Sequence, residues 1–400
     1  MPSHDSGRPG EILLVGGGHS HVIVLRELGL RPLAGARLTI VSIAARTPYS
    51  GMLPGYVAGH YDFDQVHIDL LRLAAFAGAR FVADEVIGID RGARLAHCRS
   101  GRSLPWDLLS INVGSTPRID LGGTGAAHVV PVKPISGFNQ RWLALLQRAR
   151  LLAAAGSAAA QPLTIAVVGG GAAGVELLLA MQYRLQQEFA TLRADPERLR
   201  WHLLTRDADI LPTHSRTVRQ QFRRVLAARG VQLHLAAAVD DAGAGWLQWQ
   251  GTNGAGRLAA DEVVWVTRAS GAPWLRDSGL AVDDDGFLCV GETLQVADEA
   301  HIFAAGDCAS MIDHPREKAG VFAVRMGRPL AGNLRRAVAG GKLIHFRPQR
   351  RWLALISTGD RCAVASRGTF LAAGRWVWHW KDWIDRRFMR LFADLPGGSA

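Results

Sequence analysis

Two stretches of the chain share one pattern, in which a short apolar run leads into a glycine-rich turn and then into apolar residues at helical spacing. In the later stretch, the apolar run 165–168 predicts a buried parallel strand, and the apolar positions from 175 to about 185 predict a helix. The earlier stretch, 12–25, predicts the same order of strand, turn and helix. The chain is therefore expected to contain two domains of one type.

The later turn has the spacing Gly169-x-Gly171-x-x-Gly174, which is a dinucleotide-binding fingerprint when it joins a strand to a helix. The first glycine makes the tight turn, the second lets backbone N–H groups approach a pyrophosphate, and the third lets the helix pack against the strand. The helix N-terminus then turns its partial positive charge toward the phosphates. An ordinary glycine-rich turn of an α/β domain is the alternative.

The earlier turn keeps Gly16 and Gly18, but His21 stands where the third glycine is expected. As the second of two such units, this turn still predicts a nucleotide site. His19 and His21 form a His-x-His pair without a third ligand in view, so we expect them to line the turn and not to bind a metal.

Neither unit has, after its second strand, the carboxylate that ordinarily binds an adenosine ribose. Ser42 follows the predicted strand 37–41, and Thr205 ends the predicted strand 201–205. Arg206 comes next and would pair with a 2′-phosphate, which favours NADPH; a solvated arginine is the alternative.

A predicted strand at 302–304 leads into Gly306 and Asp307. Ligands bind just past the carboxyl ends of parallel strands, so this aspartate would accept hydrogen bonds from a ribitol chain. Its alternative role is to cap the helix predicted at 318–338. The loop 47–61 is rich in proline and glycine, and either covers a flat aromatic ligand or makes a rigid connection.

The last predicted helix, 374–392, combines tryptophan with arginine, a composition that suits a bilayer surface. A helix that covers the core or forms a dimer face is the alternative. Two cations, Lys381 and Arg387, interrupt the side that is predicted to be apolar. That side comprises Trp376, Val377, Trp380, Trp383, Ile384, Phe388, Leu391 and Phe392.

The amino-acid composition limits the classes of binding partner and the cellular location that we expect. The net charge of +11 would suit nucleic acid, anionic lipid or phosphorylated ligands, but no nucleic-acid-binding signature accompanies it, so no nucleic-acid partner is expected. The four cysteines lack the spacing of a zinc site and are too few for a disulfide framework, which favours the cytoplasm. The first ten residues contain no apolar segment, so no secretory leader is expected.

Five segments in a fixed order, 15–21, 48–54, 113–117, 169–176 and 302–309, resemble the pyridine nucleotide–disulfide oxidoreductase superfamily of flavoproteins. The chain most resembles type II NADH dehydrogenases, which lie on a membrane without spanning it, and the flavoprotein module fused to selenide, water dikinase. The resemblance implies an α/β fold with two Rossmann-like domains. The implied units are an FAD-binding domain in two parts, 1–118 and 271–340, an inserted NAD(P)H-binding domain, 119–270, and a C-terminal region, 341–400.

The resemblance also implies FAD and NAD(P)H as cofactors. No metal is expected, because no set of ligands for one is in view. The residues expected to bind these cofactors are Gly16, Gly18, His19, Ser42, Pro48, Gly114, Gly169, Gly171, Ala173, Gly174, Glu176, Arg206, Gly271, Gly306 and Asp307. Catalytic roles are expected for Glu176 and Lys318. The Lys318 ammonium would stabilise an anionic reduced flavin, and a solvated or locally paired lysine is the alternative.

We expect hydride to pass from NADH or NADPH to FAD, and two electrons then to pass to an acceptor, most simply a quinone. A soluble reductase for a selenium or sulfur compound and a non-catalytic nucleotide sensor are the alternatives, because 317–325 replaces the expected quinone motif. The expected location is cytoplasmic, with 374–392 on the inner face of the plasma membrane if that helix binds lipid. A homodimer is a further open alternative.

Overall fold

The structure, a computed structural model, describes residues 10–122, 124–155, 161–252, 254–267 and 269–396, without the side chain of Ser136. The segment from which the absence of a secretory leader was predicted lies almost entirely outside these residues. Within the described chain, two five-stranded sheets form the centres of two α/β units. This confirms the predicted fold of two Rossmann-like domains.

The first sheet is parallel throughout, because its strands are joined by crossovers that place helices on its faces. Its strands, from one edge to the other, are Ile302–Ala304, Leu108–Ile111, Gly10–Val15, Ala36–Ser42 and Arg80–Ala83. The helices that pack against it are His19–Leu30, Leu70–Phe76 and Gly320–Val338.

The second sheet is also parallel and lies in the middle of the chain. Its strands in spatial order are Val130–Pro131, Glu262–Trp265, Leu163–Val168, Leu199–Leu204 and Gln232–His234. The accompanying helices are Ile135–Ala154, Ala172–Thr191 and Arg216–Ala228. The strand Leu163–Val168 is buried along its whole length, as its unbroken apolar run predicts.

The chain passes between the two sheets at two adjacent points. Thr116–Pro117, on the way out of the first sheet, pairs antiparallel with Ala269–Ser270, on the way back. The predicted domain edges at 118 and 270 fall beside this pair of crossings. The two sheets are therefore connected by a short two-stranded ribbon.

Shorter elements cover the edges of the two units. The strands of the small sheets are Val86–Asp90, Leu95–Cys98 and Ser103–Pro105; Ala237–Gly243, Trp246–Gly251 and Gly256–Ala259; Leu288–Val290 and Ala309–Met311; Arg46–Pro48 and His67–Asp69; and Ala354–Ser357, Ala363–Arg367 and Phe370–Gly374. The short helices, α and 3₁₀ together, are Ser50–Met52, Leu53–Val57, Asp64–Val66, Gly125–His128, Pro196–Arg198, Pro273–Asp277 and Gly306–Cys308.

The last helix of the first unit starts later than its sequence predicts. The prediction places its start at Lys318, but the helix spans Gly320–Val338. Its N-cap, Ala319, has extended backbone angles (φ −139°, ψ 142°), so Lys318 precedes the helix and does not belong to its first turn.

The C-terminal helix, Arg375–Ala393, buries part of the side that its apolar spacing predicts. Val377 and Phe392 of that side are buried, whereas Trp376 and Trp383 are 58% and 51% exposed. The helix also buries Trp378 and Asp385, which the prediction leaves out; the ion pair between Lys381 and Asp385 makes the burial of this carboxylate possible. No described helix has the length and apolar character required to cross a bilayer.

Candidate functional site

Asn112 holds the first glycine turn against the end of the neighbouring strand. Its carbonyl oxygen accepts a hydrogen bond from Gly18 N at 3.2 Å, and its side-chain amide donates to Ala305 O at 2.5 Å. A Cβ at Gly16, Gly18 or Gly306 would collide with Asn112. These three glycines are therefore required by the close approach of three chain segments.

His21, at the position where the third glycine is expected, holds the turn in place through two hydrogen bonds of its ring. Its Nδ1 lies 2.6 Å from Gly16 O, and its Nε2 lies 2.9 Å from Ser110 Oγ. Burial lowers the pKa of His21 to about 4, with the Gly16 hydrogen bond opposing the shift, so the ring is neutral at physiological pH. His21 thus braces the turn from within the core and does not face a ligand.

Beside this turn, polar groups from separate parts of the chain meet at Asp307. Lys133 Nζ donates hydrogen bonds to Asp307 Oδ2 at 3.0 Å and to Ser115 Oγ at 2.7 Å. Burial lowers the pKa of His19, which the Asp307 carboxylate opposes. The His19 ring also lies edge-on to Tyr49, with ring centroids 5.4 Å apart.

Several predicted flavin-binding residues surround this cluster. Pro48 contributes a backbone hydrogen bond to His19, and Ser42 borders the turn near Gly17. Gly114, at φ +75°, has open space where a Cβ would lie. The neutral His19 ring and the Asp307 carboxylate can accept hydrogen bonds from a polyhydroxylated chain, and Gly114 leaves space beside its backbone for that chain. These residues therefore fit the ribitol and phosphates of FAD.

The second glycine turn has an open N-terminus. Gly169 N donates to Leu204 O at 2.8 Å, and a Cβ at Gly174 would collide with Gly169 O, so the first and third glycines serve packing. At Gly171, the N-cap of the helix, no atom lies within 4 Å of a Cβ position, and Ala173 is exposed. This opening at a helix N-terminus fits a pyrophosphate.

Glu176, on the helix that follows this turn, lies among charged groups of the C-terminal helix. Its Oε1 accepts a hydrogen bond from Ser357 N at 2.6 Å. Burial raises the pKa of Glu176 to about 7, although the Lys381 ammonium and this hydrogen bond both oppose the shift. The carboxyl is therefore close to half-protonated at neutral pH.

Lys381 joins the C-terminal helix to the loop that carries Tyr49. Its ammonium donates to Gly51 O at 2.6 Å and to Asp385 Oδ2 at 2.7 Å. Asp385 also accepts a hydrogen bond from Tyr49, whose pKa is raised by burial and by that carboxylate. Glu176, Lys381, Tyr49 and the buried Asp385 thus form one set of ionisable groups, and its member Tyr49 contacts the His19 ring.

Protein contacts surround two further predicted site residues, Lys318 and Gly271. Lys318 Nζ donates to Ala309 O at 2.6 Å and lies 3.9 Å from the centroid of the Phe287 ring. A Cβ at Gly271 would collide with Gly286 O, so this glycine packs against a neighbouring turn. The catalytic role of Lys318 stays a prediction.

Sequence reasoning missed Asn112, Lys133, Tyr49 and Asp385 as site residues. The available signal was a pair of cations, Lys381 and Arg387, within the apolar side of an amphipathic helix. Cys308, beside Asp307, is buried, and burial raises the pKa of its thiol to about 11. The four cysteines are all free thiols.

A family model described as pyridine nucleotide-disulphide oxidoreductase matches residues 10–327. The chain is 31% identical over 150 residues to demethylphylloquinone reductase NdbB of Synechocystis, covering 38% of this chain and 35% of that protein. It is 30% identical over 152 residues to a type II NADH:quinone oxidoreductase of Haemophilus influenzae, covering 37% and 33%. Over 236 residues it is 25% identical to human ferroptosis suppressor protein 1, covering 56% of each. These matches span between a third and just over half of each relative.

Solved structures share the fold over almost the whole chain. The sulfide:quinone oxidoreductase of Aquifex aeolicus superposes with a TM-score of 0.78 at 15% identity, covering 98% of this chain and 93% of that one. NDH2 of Plasmodium falciparum in complex with NADH superposes with a TM-score of 0.76 at 14% identity, covering 97% and 98%. At these identities the likeness establishes the fold alone.

Proposed function

The chain belongs to the pyridine nucleotide-disulphide oxidoreductase family, whose members depend on FAD and NAD(P)H, and we propose that it transfers a hydride from NAD(P)H to FAD and then two electrons to a quinone. The observation that carries this proposal is the meeting of the two units at one group of largely buried ionisable residues. Glu176 comes from the second unit, and Tyr49 comes from the first.

In this proposal, the residues around Asn112 and Asp307 hold FAD, and the open turn at Gly171 holds the nicotinamide dinucleotide. Bound FAD supplies the redox chemistry, since its ring accepts a hydride and releases electrons to an acceptor. Asp307 would accept hydrogen bonds from ribitol hydroxyls, and Lys133 fixes the orientation of that carboxylate. Backbone N–H groups at each helix N-terminus bind phosphate.

Glu176 is proposed to be the proton donor. Reduction of a quinone by two electrons also consumes two protons, so a group that releases a proton near neutral pH is required. Burial raises the pKa of Glu176 to about 7, which matches that requirement. Lys381 lowers the cost of the ionised form of Glu176 after the proton has left.

Two observations support a quinone as the acceptor. The relatives named above include a demethylphylloquinone reductase and an NADH:quinone oxidoreductase. In addition, the thiol nearest the predicted flavin site, Cys308, is buried with a raised pKa, so it is a poor relay for electrons. We infer that this chain contributes no thiol relay between a bound flavin and the acceptor.

The exposed side of the C-terminal helix is proposed to lie on a membrane surface. Trp376 stacks on Trp380 with ring planes 9° apart, and Arg387 lies 5.3 Å from the centroid of the Trp383 ring. Exposed tryptophans interleaved with arginines match the interfacial region of a bilayer that contains anionic lipid. A membrane position would bring the enzyme to a quinone dissolved in lipid.

Anaerobic rapid mixing tests the proposed function. We expect the purified protein to carry flavin, NADH or NADPH to bleach its absorbance, and a short-chain quinone to restore it. A flavoprotein that is never bleached by either nucleotide would refute the hydride transfer. Bleaching without reoxidation by quinones would refute the acceptor and leave the first half-reaction standing.

A further inference from the structure

A cavity lies between the end of the C-terminal helix and the two-stranded sheet of Arg46–Pro48 and His67–Asp69. Its volume is about 530 Å³, within the range of pockets that hold small organic ligands. None of the residues that line it in the described chain is among those proposed to bind FAD or NAD(P)H. The cavity is therefore separate from both proposed cofactor sites.

The inner wall of the cavity is apolar. Met52, Ile68 and Phe392 are buried, and Met389 of the C-terminal helix is partly buried. Such a wall binds hydrocarbon, because each methylene group removed from water strengthens binding by about fourfold. Methionine side chains also adapt their shape to an irregular or flexible ligand. The wall therefore favours an acyl chain over a rigid polar molecule.

The rim of the cavity carries three exposed arginines, Arg72, Arg386 and Arg390. Arg386 Nε donates a hydrogen bond to Asp382 Oδ1 at 2.8 Å. Among the residues that the structure describes, the guanidiniums of Arg72 and Arg390 have no hydrogen-bond or ion-pair partner. Two planar donor groups are thus left for an anion.

The acidic residues of the same rim have partners of their own. Asp64 is ion-paired with Arg46. Asp69 Oδ1 accepts a hydrogen bond from Arg72 N at 2.9 Å and so caps the helix that follows. Burial lowers the pKa of His67, so this ring is neutral at physiological pH. Two uncommitted guanidiniums are therefore set against a single carboxylate that already caps a helix, and the charge left at the rim is positive.

This cationic rim continues the side of the C-terminal helix that is proposed to lie on a membrane. Trp383, Arg386 and Arg390 have the spacing i, i+3, i+7, which places them along one side of a helix. Trp383 is one of the two exposed tryptophans of the proposed membrane contact. In that position, the rim lies at the depth of the lipid headgroups and the apolar wall is open to an acyl chain.

We propose that this cavity binds one anionic phospholipid, with an acyl chain against the wall of Met52, Ile68 and Phe392 and the phosphate between Arg72 and Arg390. The inference rests on the membrane position included in the proposed function and adds a defined lipid site to it. An arginine at an anionic lipid surface strengthens binding by about fivefold, and the acyl chain adds the affinity of its buried methylene groups.

Calorimetry with a short-chain lipid tests the site in the absence of a bilayer. The flavin-loaded protein is titrated with dihexanoylphosphatidylglycerol below its critical micelle concentration. We expect one molecule to bind per chain, at least about tenfold more tightly than dihexanoylphosphatidylcholine, whose headgroup has no net charge. Equal affinity for the two lipids would overturn the anionic selectivity.

The headgroup alone tests the contribution of the acyl chain. Glycerophosphoglycerol carries the same phosphate without acyl chains, and we expect it to bind at least about 100-fold more weakly than dihexanoylphosphatidylglycerol. Equal affinity for these two molecules would make the site a simple phosphate site and overturn the proposal.

Two charge variants are compared with a matched control. Arg72→Gln and Arg390→Gln are each expected to weaken phosphatidylglycerol binding by about fivefold and to leave phosphatidylcholine binding unchanged. Arg375→Gln removes an exposed arginine from the first turn of the same helix, about 22 Å from Arg390 along the axis, and is expected to have no effect. An equal loss in Arg375→Gln would indicate general charge attraction and overturn the site.

Ala393→Trp tests the cavity itself, because the net charge does not change. Ala393 is exposed at the last position of the helix and lines the cavity, so an indole there occupies part of the space for the acyl chain. We expect binding of dihexanoylphosphatidylglycerol to fall by at least about tenfold, whereas an added tryptophan strengthens general attraction to vesicles. Unchanged or tighter binding of the short-chain lipid would place it outside the cavity and overturn the proposal.

These titrations distinguish the lipid site from the proposed function, since they need neither nucleotide nor quinone. If the protein binds vesicles through Trp376 and Trp383 but does not bind the short-chain lipid, the lipid site fails and the membrane position stands. If the short-chain lipid binds with the expected selectivity but vesicles do not, the membrane position fails and the lipid site stands.

Discussion

Lys133 Nζ lies 3.0 Å from Asp307 Oδ2, so a residue ahead of a helix of the second unit reaches a carboxylate at a strand end of the first. The same ammonium donates to Ser115 Oγ. The contact ties the proposed flavin-binding carboxylate to the unit proposed to bind the nicotinamide. One ion pair therefore connects the two cofactor sites.

Removal of this ammonium is expected to weaken FAD binding. In Lys133→Gln, Asp307 loses the partner that orients it toward ribitol hydroxyls, and we expect a three- to tenfold higher Kd, since the pair is partly exposed. Lys133→Arg keeps the charge and should retain most of the affinity. Fluorescence titration of FAD into deflavinated protein measures the change. Lys342→Gln, an exposed lysine elsewhere, is the matched control, and an equal loss in that variant would contradict the assignment.

Turnover with a quinone is expected to fall as the pH rises through about 7, because Glu176 must be protonated to act as the donor. Glu176→Gln removes the transferable proton, and we expect flavin reoxidation to slow by about 100-fold and to lose this pH dependence. Stopped-flow reoxidation at several pH values provides the measurement. A Glu176→Gln protein that keeps the pH step would assign the proton to another group.

The same carboxyl is expected to affect stability with the opposite sign to an ordinary acidic residue. Its pKa is raised on folding, so the folded protein binds more protons than the unfolded chain between its ordinary pKa, near 4.5, and about 7. Stability attributable to Glu176 is therefore lost as the pH rises through this window. Glu176→Gln should be more stable than the unaltered protein above pH 7, by up to about 3 kcal/mol, in urea unfolding. Equal unfolding midpoints for the two proteins at high pH would refute the raised pKa.

Lys381→Met is expected to destabilise the protein by about 3–5 kcal/mol, because it leaves the buried Asp385 carboxylate without its cation. A double variant, Lys381→Met with Asp385→Leu, removes both charges and should recover most of that loss. Urea unfolding of the two variants provides the comparison. If the double variant were no more stable than the single one, the pair would not be the source of the effect.

Membrane association is expected to depend on the exposed tryptophans. A protein with Trp376→Ser and Trp383→Ser should bind vesicles of mixed phosphatidylglycerol and phosphatidylcholine at least about tenfold more weakly in co-sedimentation. Leu151→Ser alters an exposed apolar residue on a different helix and serves as the control. Unchanged binding of the double variant would place the lipid contact elsewhere.

Local pattern was sufficient for the elements that build the two units. The apolar run before each glycine turn, the spacing of the turns and the strand at Ile302–Ala304 are all features of neighbouring residues. The burial of a strand and the glycine spacing of a turn can both be recognised within a short segment of sequence. For this reason the sequence was sufficient to predict the fold. The start of the helix Gly320–Val338 did not, because nothing in the local pattern indicates the extended backbone of Ala319.

The sequence by itself determined the two-unit α/β fold, the glycine turns and the candidate cofactors, because each follows from contiguous residues with a characteristic spacing. Only the tertiary structure decided which charged groups meet. Lys133 reaches Asp307 across 174 positions, and Lys381 reaches the loop at Gly51 across 330. The exposure of Trp376 and Trp383 and the burial of Asp385 in the C-terminal helix were decided in the same way, because the Lys381–Asp385 ion pair forms only within the fold and makes burial of that carboxylate possible.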